Sequence, residues 1–278
     1  MTIDTTTVLP RPAVLTNGRW GEARTESEIN SIPVPATTST YCAVPQIPLF
    51  KQWATKLQSA GYNLSEPVHF TNGKQFISKV TIGRASLPFQ AERLWQTPTY
   101  TYEAAIMNSY DMSRALSSGL GTRVFVCANG MMSAEVQLKT RHTSMIMQRL
   151  DHFLELSVST LEARAQATHD MFNEYEITAL DRSHKAPVDH LLMEAARRSI
   201  IAPSGIMEVY NHWVRPEHRE FRDANVWSLY NAFTSYQRGR NEFAATDRFN
   251  TLHNLFQSHF SLKAPTPDQV VAKILSNN

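Results

Sequence analysis

The apolar period of the chain changes once, and that change constrains the fold more than any other feature. From Pro67 to Thr140 apolar residues recur at every second position, the repeat of half-buried strands. From Thr143 onward they recur at every third or fourth, the repeat of amphipathic helices. In Lys74–Ile82, Phe76, Val80 and Ile82 share one face, and Gln75, Ile77 and Lys79 the other. Further strands are expected at Tyr100–Asn108, Thr122–Ala128 and Met131–Lys139, with Gly119-x-Gly121 as a turn before the third. Asn129-Gly130 is a two-residue hairpin signal, because both residues tolerate positive φ. Successive strands with local connections make an antiparallel meander. Thr143 or Ser144 is expected to cap one long helix reaching about Glu176, with Met145, Leu150, Phe153, Leu154, Leu161, Ala165 and Phe172 along its apolar stripe. Later helices are expected at Pro187–Ile200, Ser204–Val214, Asp223–Gln237, Ala245–Ser261 and Pro267–Leu275. The expected fold class is therefore α+β: an antiparallel β-meander crossed by a long helix, followed by a helical C-terminal half.

Three regions follow. Residues 1–39 mix Thr runs with Pro10, Pro12, Pro33 and Pro35 and show no period, so they read as an extended arm. Trp20, Ile29, Ile32 and Val34 favour its lying on a neighbouring surface, either an edge strand or a second subunit. Residues 40–180 form the meander and long-helix core. They open with a short strand at Tyr41–Val44 and a helix in which Phe50, Trp53, Ala54 and Leu57 are apolar and Gly61 supplies the C-terminal cap. Residues 181–278 form a helical region packed on that core.

Composition removes several function classes. The chain has 278 residues, with 27 Lys and Arg against 25 Asp and Glu. That balance is neither an acidic tail nor a polycation. No run of eighteen apolar residues exists, so no membrane partner is expected. Met1–Pro10 has neither a basic nor an apolar leader pattern, and a cytoplasmic location is expected. The cysteines, Cys42 and Cys127, form no CxxC, and the His pairs are spaced six apart, which does not converge on a helix. No metal and no cofactor are expected. Nucleotide-binding, hydride-transfer and serine-hydrolase motifs are absent, so an enzyme is less favoured than a binding protein.

Basic residues gather in the first half, with 13 Lys and Arg against 9 Asp and Glu through residue 141. Lys74, Lys79, Arg84 and Arg93 interleave with Phe76, Phe89, Trp95, Tyr100 and Tyr102, and Arg123 continues the series. Cations tracking phosphates beside rings that stack on bases are how single-stranded nucleic acid is held. The competing reading makes the rings core and the cations rim. Lys79, on the side with Gln75, is expected to face solvent, and Lys74 to lie at a rim; Arg114, Lys139 and Arg141 at strand ends would extend the track. A second, polar group is Asn108, Asp111, Cys127 and Asn129. Asn and Asp at strand ends either close turns or line a site. Cys127 suits a buried strand position unless a His stands near.

Four phrases carry a resemblance: Tyr41-x-x-x-Pro45-x-Ile47, Asn108-Ser109-Tyr110-Asp111, Phe125-Val126-Cys127-Ala128-Asn129-Gly130-Met131, and Trp227-x-x-Tyr230-Asn231-Ala232-Phe233-Thr234. Over roughly residues 30–240 the chain resembles the prophage- and plasmid-borne proteins of unknown function typified by YfjQ and YafZ. It departs from them at Tyr110, where they carry His, and at Ala128, where they carry Thr. The resemblance implies a mobile-element setting, and the meander with its crossing helix is similar to the core of single-strand annealing proteins. The expectation is a homo-oligomeric protein of phage or plasmid recombination that binds, and anneals, single-stranded DNA. The alternatives are a protein-binding accessory or anti-defence factor with a host or mobile-element protein as partner, and an enzyme built on Asn108, Asp111 and Cys127.

Overall fold

The computed structural model describes residues 23–84, 100–124, 136–237 and 242–276. Among the described residues six strands form one antiparallel sheet: β1 (Tyr62–Leu64), β2 (Val68–Thr71), β3 (Gln75–Arg84), β4 (Tyr100–Ser109), β5 (Leu116–Val124) and β6 (Val136–Thr140). β3 to β6 run as a meander. β1 pairs with the C-terminal part of β3 and β2 with its N-terminal part, so both occupy one edge. The fold is α+β, with the sheet in the N-terminal half and helices after it.

Helix α1 (Glu26–Asn30) and helix α2 (Gln46–Ser59) precede the sheet. α1 lies within the segment expected to be an extended arm. It forms because Thr25 and Glu28 make a reciprocal capping box around its first turn. Just before it, the Arg24 N–H donates to the His69 carbonyl at 2.8 Å, which bridges this segment to β2 on the sheet edge. Tyr41–Val44 is not a strand; its backbone is irregular, and Tyr41 and Val44 are nevertheless buried. Gly61 ends α2 with φ +85°, the left-handed cap expected of it.

Among the described residues seven α-helices follow: α3 (Ile146–Ser159), α4 (Leu161–Ile177), α5 (Ala186–Arg197), α6 (Ile206–Val214), α7 (Val226–Gln237), α8 (Glu242–His259) and α9 (Pro267–Ser276). The single long helix expected from Thr143 to Glu176 is two, α3 and α4, divided at Thr160. The sequence there is Ser157-Val158-Ser159-Thr160. Ser157 Oγ donates to the Leu154 carbonyl, and Ser159 Oγ and Thr160 Oγ1 both donate to that of Leu156. Hydroxyls that back-bond in this way compete with the helical ladder and bend it.

One face of the sheet carries Phe76, Val80, Ile82, Tyr102, Ala104, Ile106, Leu116 and Leu120 into a large core shared with the helices. Tyr102 Oη donates to the Ala165 carbonyl of α4 at 2.9 Å. Phe172 of α4 meets Tyr100 edge-on, with centroids 5.3 Å apart, and packs on Trp227 of α7. The other face is buried as well. Ile77, Ala105 and Met107 cluster there with Val68 and Phe70. Gly119 and Gly121 lie inside β5, opposite Ala105 and Glu103, and are not the turn expected before it. β5 pairs with β6 antiparallel, as a hairpin requires; its connecting turn, with Asn129-Gly130, lies outside the described residues.

Candidate functional site

The sheet register sorts the expected cations. The Lys79 side chain is fully buried, with Nζ 5.6 Å from the centre of the Phe70 ring. The expectation that Lys79 faces solvent is therefore corrected. Pairing places Val68 directly beside Lys79 and Phe70 beside Ile77, so this face gains an apolar neighbour that the alternation of β3 alone did not reveal. Arg84 stands at the far end of β3, 2.7 Å from the Glu162 carboxylate and over the Tyr62 ring. Arg123 lies on β5 near that same end, paired with Thr101. Arg93, Cys127 and Asn129 lie outside the described residues. Phe76, Tyr100 and Tyr102 are core, so these rings are not a stacking surface. Lys74 stands exposed at the opposite end, in the turn before β3.

That end is where charge collects. The row Phe76, Asn108, Leu116 and Thr140 closes the sheet there. Just beyond it lie the turn containing Lys74, the β4–β5 turn with Arg114, and the segment leaving β6 through Arg141 into α3. Residues 71–75, 110–115 and 139–149 carry Lys74, Arg114, Lys139, Arg141 and Arg149 against one acid, Asp111. Lys74, Lys139, Arg141 and Arg149 are exposed. α3 opens here without a side-chain cap; the Ile146 and Gln148 N–H groups donate to the Thr143 and Met145 carbonyls, and the positive end of the helix dipole adds to the field. Three large apolar side chains stand exposed among these cations: Met112 at 67%, Met145 and Met147.

The polar phrase is fastened into the base of this end. Asn108 is fully buried; Nδ2 donates to the Val44 carbonyl at 2.7 Å and Oδ1 accepts from the Ser109 N–H. Ser109 Oγ clasps both the carbonyl and the N–H of Arg114. The Asp111 carboxylate accepts from the Ser113 N–H and hydroxyl, bonds that hold its pKa below the usual carboxylate range, with Lys74 adding to the effect. Gln75 Nε2 donates to Ser113 Oγ. Thus Asn108 and Asp111 each order a turn through side-chain to backbone bonds. The loop they order holds Met112 at φ +56°, an unusual conformation for a side chain of that size.

Behind the loop lies a cluster that sequence reasoning missed. Tyr41 Oη donates to the Tyr110 carbonyl, and the Gln46 N–H that opens α2 donates to Tyr110 Oη at 3.2 Å. The Tyr41 ring lies 5.8 Å from that of His142. Burial raises the Tyr41 and Tyr110 hydroxyl pKa values and keeps His142 toward its neutral form. Gln46 is buried, and neither atom of its side-chain amide has a hydrogen-bond partner among the described residues. No sequence spacing links residues 41, 46, 110 and 142; the signal was only that each is polar at an element boundary. Among the described residues no group of three metal-ligating side chains exists, and no helix is long and apolar enough to cross a membrane.

The arrangement can attract a polyanion to the loop end of the sheet while offering apolar contacts beside the charges. Neither a curated protein nor a solved structure matches the chain. A family described as a domain of unknown function, DUF932, matches residues 84–260, well over half of the chain, and the protein belongs to that family.

Proposed function

We propose that the chain binds single-stranded DNA at the loop end of its sheet, in the DNA metabolism of a phage or plasmid. The observation that carries this reading is the gathering of Lys74, Arg114, Arg141 and Arg149 around one acid, beside exposed Met112, Met145 and Met147. Phosphates supply the charge that such a rim lacks, and thioether side chains supply polarizable contacts to unstacked bases. The setting rests on the resemblance to the YfjQ and YafZ proteins, and strand annealing on likeness of architecture alone. Annealing also requires two strands to be presented together, and a homo-oligomer is the form in which one chain does that.

Fluorescence anisotropy with single-stranded and duplex oligonucleotides over a series of salt concentrations tests the reading. Single-strand binding that weakens steeply with salt supports it. Met112→Ala should weaken that binding without changing its salt slope, because methionine contacts no phosphate. Absence of binding at low salt overturns it. The same rim would then favour the second reading, an accessory or anti-defence protein, since exposed methionines are also adaptable contacts for a protein partner.

A further inference from the structure

The guanidinium of Arg164, on α4, is 0% exposed, and Nε, Nη1 and Nη2 have no hydrogen-bond partner among the described residues. A buried cation in that condition is expensive unless something compensates it. α4 packs along α9, and the opposite charge nearest in effect is Asp268, in the first turn of α9. Asp268 also feels Lys139, exposed on β6, which touches α9 as well. Thr266 immediately precedes α9. It is 3% exposed, and its Oγ1 has no partner among the described residues, although its N–H donates to Gln269 Oε1. The loop leading to it is rigidly placed, because the Glu174 carboxylate accepts the N–H groups of Lys263 and Ala264 at 2.7–3.0 Å. Arg164, Lys139 and the positive end of a ten-residue helix thus converge on one junction, with Asp268 as the counter-charge.

We propose that the junction of α4, β6 and the N-terminus of α9 binds a phosphate-type oxyanion, with Arg164 and Thr266 Oγ1 donating to it and Lys139 at its mouth. This site borders the loop end of the sheet through Lys139, but it does not depend on nucleic-acid binding. Asp268 sets its selectivity. A carboxylate in an anion site accepts a hydrogen bond from an anion that still carries a proton and repels one that does not. Monohydrogen phosphate near neutral pH supplies that proton, and a phosphate monoester does so only as its monoanion, below its second pKa of about 6; sulfate does not. Burial already raises the Asp268 pKa while Arg164 and Lys139 lower it, which fits a carboxyl poised for proton sharing.

Thermal unfolding of the full chain at constant ionic strength tests this, with chloride, sulfate, inorganic phosphate and a nucleoside monophosphate as arms. Phosphate should raise the midpoint in a saturable way, with sulfate weaker by roughly tenfold or more in apparent affinity, the effect of one charge-assisted hydrogen bond. An equal response to the monophosphate identifies a monoester as an acceptable source; a response to inorganic phosphate alone restricts the site to the free ion. Arg164→Met should abolish the response. If that variant does not fold, Thr266→Val should weaken the response and Asp268→Asn should bring sulfate up to phosphate. A midpoint indifferent to phosphate, or a phosphate response retained in Arg164→Met, overturns the proposal. So does an Asp268→Asn variant that is destabilised and responds to neither anion, since Asp268 alone would then neutralise Arg164.

Discussion

Replacing Asn108 by Ala separates a structural clasp from a ligand contact. The side chain bonds two buried backbone groups, the Val44 carbonyl at 2.7 Å and the Ser109 N–H at 2.9 Å. Val44 is 1% exposed and Ser109 0%, so solvent cannot readily take over either bond. A buried backbone group left unsatisfied costs about 1–3 kcal/mol. Two such groups at the lower part of that range give about 2–4 kcal/mol. Unfolding entropy near the midpoint is about 2.1 cal/mol/K per residue, or roughly 0.6 kcal/mol/K for a chain of this length. Asn108→Ala should therefore lower the unfolding midpoint by about 3–7 °C. Circular dichroism melts and urea titrations of the variant beside the parent measure this. A parent-like melting curve would refute the clasp, and a parent-like curve with DNA binding lost would make Asn108 a ligand contact.

Lys79→Ala should behave as a core truncation, destabilising by about 2–4 kcal/mol in a urea titration, whereas Lys74→Ala should stay within roughly 0.5 kcal/mol; equal effects would contradict the burial of Lys79. Gly61→Val places a β-branched residue at φ +85° and should lower stability by about 1–2 kcal/mol, read from the same titration; no loss would contradict the left-handed cap. His253 is fully buried, with Nδ1 2.9 Å from Tyr175 Oη, and desolvation lowers its pKa to about 3. Below about pH 6.5 the unfolded chain takes up a proton that the folded chain refuses. Stability should thus fall by up to about 1.4 kcal/mol per unit as pH drops toward 3. His253→Phe should flatten that acid limb relative to the parent, and an unchanged limb would show that other groups govern it.

The alternation in Lys74–Ile82 placed β3, and the three- and four-residue spacing after Thr143 placed the C-terminal helices, because burial on one face leaves a direct trace in residue order; the third expected strand, Thr122–Ala128, shares only Thr122–Val124 with β5 (Leu116–Val124). Gly61 was legible for the same reason, since a left-handed residue at a helix end favours glycine. The break at Thr160 was harder to read. The apolar stripe continues through it, while the hydroxyls that bend the helix act on carbonyls three and four residues back. The burial of Lys79 depends on which strand lies beside β3, and Val68 and Phe70 reveal that only once β2 is paired. The glycines of β5 looked like a turn because a strand that packs small residues against Ala105 has the same composition as a loop. At the site, Lys74, Arg114 and Arg141 each stood out as strand-end cations, yet they are far apart in sequence. They meet because an antiparallel sheet returns its alternate connections to one end. The cluster of Tyr41, Gln46, Tyr110 and His142 depends on where α2 docks, which no local pattern encodes.

The central claim is that the loop end of the sheet carries the affinity for single-stranded DNA. Its most direct test compares the parent with Lys74→Gln/Arg114→Gln/Arg141→Gln in a salt-titrated binding assay, beside a control that neutralises Arg197, Arg198 and Arg215 on helical surfaces away from the sheet. Each phosphate contact on a single strand contributes about 0.7 to the slope of log affinity against log salt. The triple variant should lose affinity and about two units of slope while keeping the parent melting curve, and the control should bind like the parent. Parent-like affinity and slope in the folded triple variant, or an equal loss in the control, would contradict the account.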